Sequence, residues 1–166
     1  MSVRPFLPYT DRRLHIPAEP VAEITETVRM IWDDMVDTMD AMPGVGLAAP
    51  QIGIMFRLAV VDASDKRGQA VRMANPEVLH ASVQLRSHDE ASPNLPGVFA
   101  PINRPRAVTV RFLNETGEIE DRDFVGLWAT SVQHQIDHLN GRMYVDHLTP
   151  LRRKMLVAKS AKLARR

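Results

Sequence analysis

Two histidines, His134 and His138, stand four residues apart in the segment 133–141, QHQIDHLNG, where apolar residues recur at helical spacing. On a helix that separation turns both imidazoles to one face about one turn apart, which is how a helix offers two nitrogens to a single metal ion. In the H-E-x-x-H form of the motif, a glutamate after the first histidine moves protons for the attacking water. Here that position is Gln135. An amide neither takes nor returns a proton near neutral pH, so the residues frame a metallohydrolase without its general base. The competing reading is purely structural, with two helix histidines bonded to carbonyls or carboxylates. The chain also has no cysteine. Disulfides, thiolate nucleophiles and cysteine-ligated metals are therefore excluded.

The elements that must carry these residues follow from the periodicity. The first twenty residues, punctuated by Pro5, Pro8, Pro17 and Pro20, read as an extended arm. From Val21, the spacing of Ile24, Val28, Ile31, Trp32, Met35 and Met39 predicts an amphipathic helix that ends at Met42, Pro43 and Gly44. Residues 57–62 (RLAVVD) and 70–75 predict two strands, and residues 105–113 and 118–124 a hairpin around the turn at 114–117. Helical spacing returns over 124–139, and Thr149 followed by Pro150 marks the start of a last helix.

With 166 residues, no repeat and no linker, the chain reads as a single domain over 1–166, with a basic helix at about 149–166. Early and late helices around antiparallel strands make the fold class α+β. Lys plus Arg is 21 against 20 for Asp plus Glu, so there is no global pull toward DNA or a membrane. The absence of a signal-like or membrane-spanning apolar run points to a cytoplasmic protein.

Three segments in order, GVGLAAPQIG at 44–53, EASPNLPG at 90–97 and HQIDHLNG at 134–141, resemble the peptide deformylase motifs usually written GxGLAAxQ, EGCLS and HExDH. The residues around Asp11 to Leu14, Asn75-Pro76-Glu77, Arg104-Pro105 and Tyr144-Val145-Asp146 extend the resemblance over nearly the whole chain to about Thr149. It implies the peptide deformylase fold, with antiparallel strands around a central helix carrying the HxxxH motif. In that family a cysteine and two histidines hold a divalent metal, commonly iron, nickel or zinc. Carried over, the ligands are His134 and His138, with Ser92 at the cysteine position. A neutral hydroxyl is a poor ligand for such ions, so the expectation is no cofactor or a weakly bound Fe, Ni or Zn.

The family stabilises the formyl oxygen with a glutamine, here Gln51, and with a backbone N–H that falls on Pro93, which has none. Losing one oxyanion donor costs on the order of a hundredfold to a thousandfold in rate. Val45, Leu127 and Thr130 fall where the family lines the pocket for an N-terminal methionine, Gly44 and Gly46 would permit unusual backbone angles and close approach, and Glu90 braces the pocket. His88, Asp89 or Glu90 could substitute for the missing thiolate. Ser92, Pro93 and Gln135 together predict a deformylase-like protein with little or no deformylase activity, one that binds nascent peptide N-termini or the ribosome. The alternative is a metal-dependent hydrolase with a rearranged site, acting on a formyl-methionyl peptide or another small amide. The tail from Leu151, with Arg152, Arg153, Lys154, Lys159, Lys162, Arg165 and Arg166 and no acidic residue, would suit ribosomal RNA phosphates or simply complement a helix dipole.

Overall fold

The computed structural model describes residues 2–165. Helix α1 (Glu26–Ala41) is followed by β1 (Gly46–Ala48), β2 (Leu58–Val61), β3 (Val71–Ala81), β4 (Leu85–Ser92), β5 (Leu95–Pro105), β6 (Ala107–Leu113), β7 (Ile119–Val125), α2 (Leu127–Leu139) and α3 (Pro150–Ala164). Five strands form one antiparallel sheet in the order β1-β2-β3-β6-β7, and β4 and β5 form a separate hairpin.

The sheet lies between two helices because β2 buries both of its faces. Leu58 and Val60 pack with Trp32, Met35 and Met39 of α1. Ala59 and Val61 pack with Ala129, Val132 and Leu139 of α2. A continuous apolar run such as LAVV suits a strand covered on both sides. The hairpin instead alternates: Val98, Ala100, Ile102 and Arg104 of β5 are buried, and the residues between them are exposed. Its apolar face packs on Tyr144 and Val145, with Leu156 and Val157 of α3 beside them.

Several element boundaries differ from the periodicity. α1 begins at Glu26, capped by the Thr25 hydroxyl; Val21 and Ile24 precede it and pack into the same cluster. Phe124 and Val125 end β7, and a tight turn at Gly126, with φ +59°, starts α2. The second predicted strand runs on through Asn75 and Pro76 to Ala81, with register shifts that absorb the proline. The arm contains a short 3-10 turn at Arg12–His15.

Candidate active site

α2 is the axis of the site, and its ends are tied down. At the C-terminal end Arg57 donates to the Leu139 carbonyl, an acceptor the helix leaves open, at 2.8 Å and to the side-chain oxygen of Asn140 at 3.0 Å. Gly141 follows with φ +76°; a Cβ there would lie 2.6 Å from the Ile16 carbonyl carbon, so only glycine lets the arm pass this closely.

Val45, Gly46, Gln51, Glu90, Ser92 and Pro93 on one side, and Leu127, Thr130, His134 and Gln135 on the other, line a cleft of about 380 Å³. His138 lies behind His134 and is buried. The two Nε2 atoms approach to 3.2 Å. Two imidazole nitrogens bound tetrahedrally to one ion at 2.0–2.1 Å stand about 3.3–3.4 Å apart, so this pair has the spacing of two ligands of one metal. Burial, followed by the neighbouring His134, pushes the His138 pKa well below its ordinary value and keeps its ring neutral. Its Nδ1 has no hydrogen-bond partner among the described residues.

Glu90 stands on the far side of His134. Its Oε1 meets His134 Nδ1 at 2.8 Å, and its two oxygens accept from Arg104 Nε and Nη2 at 2.6 and 2.9 Å. Arg104 Nη1 also contacts Asp137 Oδ2 at 2.9 Å, and that oxygen meets His147 Nε2 at 2.7 Å. Burial raises the Glu90 pKa, but hydrogen bonds from Arg104 and His134, with their charges, outweigh it and leave the carboxyl below its ordinary value. Asp137 is lowered in the same way, against burial, by His147 and Arg104.

Glu90 thus orients the imidazole from behind and does not stand in for the cysteine. Neither do His88 and Asp89: no group of three or more His, Cys, Asp or Glu side chains among the described residues could hold a metal ion. The donors that fit an ion are His134 and His138, whose Nε2 atoms converge; Ser92 lines the same cleft with its hydroxyl bonded to Gln51 Nε2 and Asn94 Oδ1.

Gln51 is held from both ends of its amide. Its Oε1 accepts from the Ala48 N–H at 2.9 Å, and Nε2 donates to Asn94 Oδ1 at 2.8 Å and Ser92 Oγ at 3.3 Å. Asn94 Nδ2 donates in turn to the carbonyls of Leu7 and Gln51. Gly44 and Gly46 have no positive φ. The requirement at Gly46 is close approach alone, since a Cβ would collide with Ser131 Oγ and Gln135 Nε2. Gln135 Oε1 is buried without a hydrogen-bond partner among the described residues. The Thr130 hydroxyl accepts from Arg86 Nη1 at 3.0 Å.

Sequence reasoning gave no role to Asp137, His147 or Arg86, and treated Arg104, Asn94 and Tyr144 only as motif neighbours. The available signal for Arg104 was a charged residue at an inward position of β5, where every other inward side chain is apolar. Tyr144 is fully buried with no partner for its hydroxyl among the described residues, and burial together with the Glu90 charge pushes its pKa up to about 12.

The family model for polypeptide deformylase matches residues 3–154. A peptide deformylase of Afipia carboxidovorans is 38% identical over 99% of this chain and 98% of its own length. Peptide deformylase 1 of Burkholderia multivorans is 38% identical over 99% of this chain and 91% of its own. Among solved structures, peptide deformylase from Ehrlichia chaffeensis superposes with a TM-score of 0.93 at 29% identity, covering 99% of this chain and 98% of that one. That from Legionella pneumophila gives 0.92 at 36% identity, covering 99% and 96%.

An α+β sheet-and-helix frame with two histidines converging beside a pocket defines the class, a metallohydrolase fold. The chain belongs to the polypeptide deformylase family. The expectation of a protein with little or no deformylase activity is thereby corrected: relatives 38% identical over essentially the full length are named peptide deformylase. The physical reason is that the substitutions leave the converging histidines, the bracing carboxylate and the anchored glutamine in place. The basic tail is carried on a docked helix: Ser160 Oγ donates to the Pro96 carbonyl at 2.6 Å and fixes α3 on the β4–β5 hairpin. No helix among the described residues is long and apolar enough to cross a membrane.

Proposed function

We propose that this chain hydrolyses the formyl group from the N-terminus of formylated peptides. The observation that carries the reading is the 3.2 Å convergence of the His134 and His138 Nε2 atoms beside the anchored Gln51 amide. His134 and His138 would hold a divalent ion such as iron, nickel or zinc, with Ser92 Oγ as the weaker third donor; when bound, the ion supplies a Lewis acid for the formyl carbonyl.

The chain's own residues do the rest. Glu90 accepts from His134 Nδ1, which leaves the lone pair of Nε2 directed to the point where the two histidines converge. Gln51 Nε2 offers a hydrogen to the formyl oxygen by exchanging its longer bond to Ser92, while the shorter bond to Asn94 keeps the amide aimed. Gln135 Oε1 accepts a hydrogen bond from the attacking water and orients it; because an amide relays no proton, the proton that leaves the water reaches the departing amine through solvent as the C–N bond breaks. Pro93 contributes no N–H, so Gln51 carries the oxyanion contact on that side. Nascent peptide N-termini are the natural substrates of such a cleft, and the basic face of α3 would suit ribosomal RNA.

Formate release from a formyl-Met-Ala-Ser peptide, by protein freshly loaded with iron, nickel or zinc, tests the reading. Metal-dependent turnover that His134→Ala abolishes supports it. Formate release indistinguishable from buffer with every metal would overturn it.

A further inference from the structure

A second groove runs between the N-terminal arm and α3, and it meets the catalytic cleft only at Pro93 and Pro96, which line both. One part of it, about 370 Å³, is walled by Phe6, Leu7, Leu95, Val157 and Ala161. Through Tyr9, Val157 and Ala161 it continues into a part of about 570 Å³ edged by Arg153 and Lys154. The residues of α3 that line it extend from Pro150 to Ala164, about 20 Å along the helix axis. The groove is therefore long, apolar over most of its length and basic at one end.

The polar groups of the apolar part are already paired. The Leu7 N–H donates to the Gln51 carbonyl at 2.9 Å, and the Leu7 carbonyl accepts from Asn94 Nδ2 at 2.8 Å. The Pro8 carbonyl accepts from the Asp11 N–H, and the Pro96 carbonyl accepts from Ser160 Oγ. Pro8, Pro93 and Pro96 have no N–H to offer. A peptide laid here would find few partners for its own backbone, and desolvating unpaired amides is costly; a hydrocarbon chain needs no partners. The other end has open polar groups. Lys154 makes no ion pair and the Tyr9 hydroxyl no hydrogen bond among the described residues, whereas Arg153 shares its charge with Asp146 at 3.3 Å. One uncompensated cation at the mouth of an apolar groove complements an anionic group at the end of an apolar chain.

We propose that the groove between the arm and α3 binds a free long-chain fatty carboxylate, its hydrocarbon chain lying against Phe6, Leu7, Leu95 and Val157 and its carboxylate meeting Lys154 and the Tyr9 hydroxyl. The inference is independent of the formyl-peptide reading above, since no residue of the converging histidine pair takes part.

The full chain is titrated calorimetrically with dodecanoate below its micelle concentration, and in parallel with octanoate, dodecanol and a glutamate-rich peptide. The expected result is one-to-one binding of dodecanoate. Octanoate should bind at least about tenfold more weakly, because each fully buried methylene is worth about fourfold. Dodecanol, which lacks the charge, should bind about threefold more weakly, and Lys154→Glu should weaken dodecanoate by at least as much. Ala161→Phe places a ring where the two parts join and should weaken dodecanoate at least about tenfold; Ala164→Phe, at another exposed position of α3, blocks the apolar part independently. Failure of dodecanoate to bind, equal binding of octanoate or dodecanol, or binding unchanged in both phenylalanine variants overturns the inference. Binding of the glutamate-rich peptide in place of dodecanoate overturns it as well.

Discussion

Replacing Arg104 with methionine removes the one cation shared by two carboxylates. The Arg104 and Glu90 side chains are 6% and 3% exposed, and the guanidinium spans Glu90 at 2.6 and 2.9 Å and Asp137 at 2.9 Å. Breaking a buried pair by deleting one partner costs about 3–5 kcal/mol, because the remaining charge is left without compensation. Against a typical domain stability of about 5–15 kcal/mol, this is a large fraction.

The pH dependence separates this cause from simple loss of packing. Glu90 and Asp137 have folded-state pKa values held below their ordinary values. Their contribution to stability is therefore fully present above the ordinary carboxylate range and is lost as the pH falls through the lowered values. In Arg104→Met the largest cause of the Glu90 lowering is gone while Asp137 keeps its bond from His147, and burial drives the Glu90 carboxyl upward. The variant should then be most destabilised near pH 7, with the gap to the parent narrowing below about pH 5 as the stranded carboxylate takes a proton. Urea unfolding at several pH values reads both quantities. A deficit below about 1 kcal/mol at pH 7, or one that stays constant down to pH 4, would refute the account.

Further outcomes follow from the same geometry. Asn94→Ala removes the shorter bond of Gln51 Nε2 and the side-chain donor to the Leu7 and Gln51 carbonyls, leaving Nε2 only its longer bond to Ser92, and should cost about 1–3 kcal/mol in urea unfolding; a neutral result would mean that the amide is not the anchor. Gly141→Ala combines φ +76° with a collision against the Ile16 backbone, and thermal unfolding should show a loss of at least about 2 kcal/mol. Ser92→Cys supplies the thiolate and should tighten zinc binding at least about tenfold in a competitive chelator titration. Gln135→Glu should raise kcat of the metal-loaded protein roughly 10²- to 10⁴-fold and introduce a rise in rate with pH, whereas an unchanged pH profile would show that residue 135 moves no proton even as a carboxylate.

How much of this molecule was legible depended on whether a residue's neighbours lie along the chain or across it. The four-residue spacing of His134 and His138 is a local property of a helix, and it correctly placed both imidazoles at one point. Thr149 and Pro150 announced α3 because capping is likewise local. The β4–β5 hairpin was missed because the exposed side of β5 carries Pro96, Gly97, Phe99 and Pro101 instead of a regular polar alternation. The relay from His147 through Asp137 and Arg104 to Glu90 joins α2, β5 and β4 to the turn before α3, so no window of sequence contains it.

The same distinction explains the error over function. Ser92, Pro93 and Gln135 were weighed one by one against motif positions, and each by itself removes a catalytic advantage. What motif reading could not show is how the surroundings of those positions are built: Asn94 fixes the Gln51 amide, and Glu90, itself clamped by Arg104, fixes the His134 ring. Preorganised donors and oriented ligands depend on this supporting layer as much as on the reacting atoms. Residues in contact with substrate can change while that layer keeps the geometry, and the activity of such a chain has to be judged from the whole constellation.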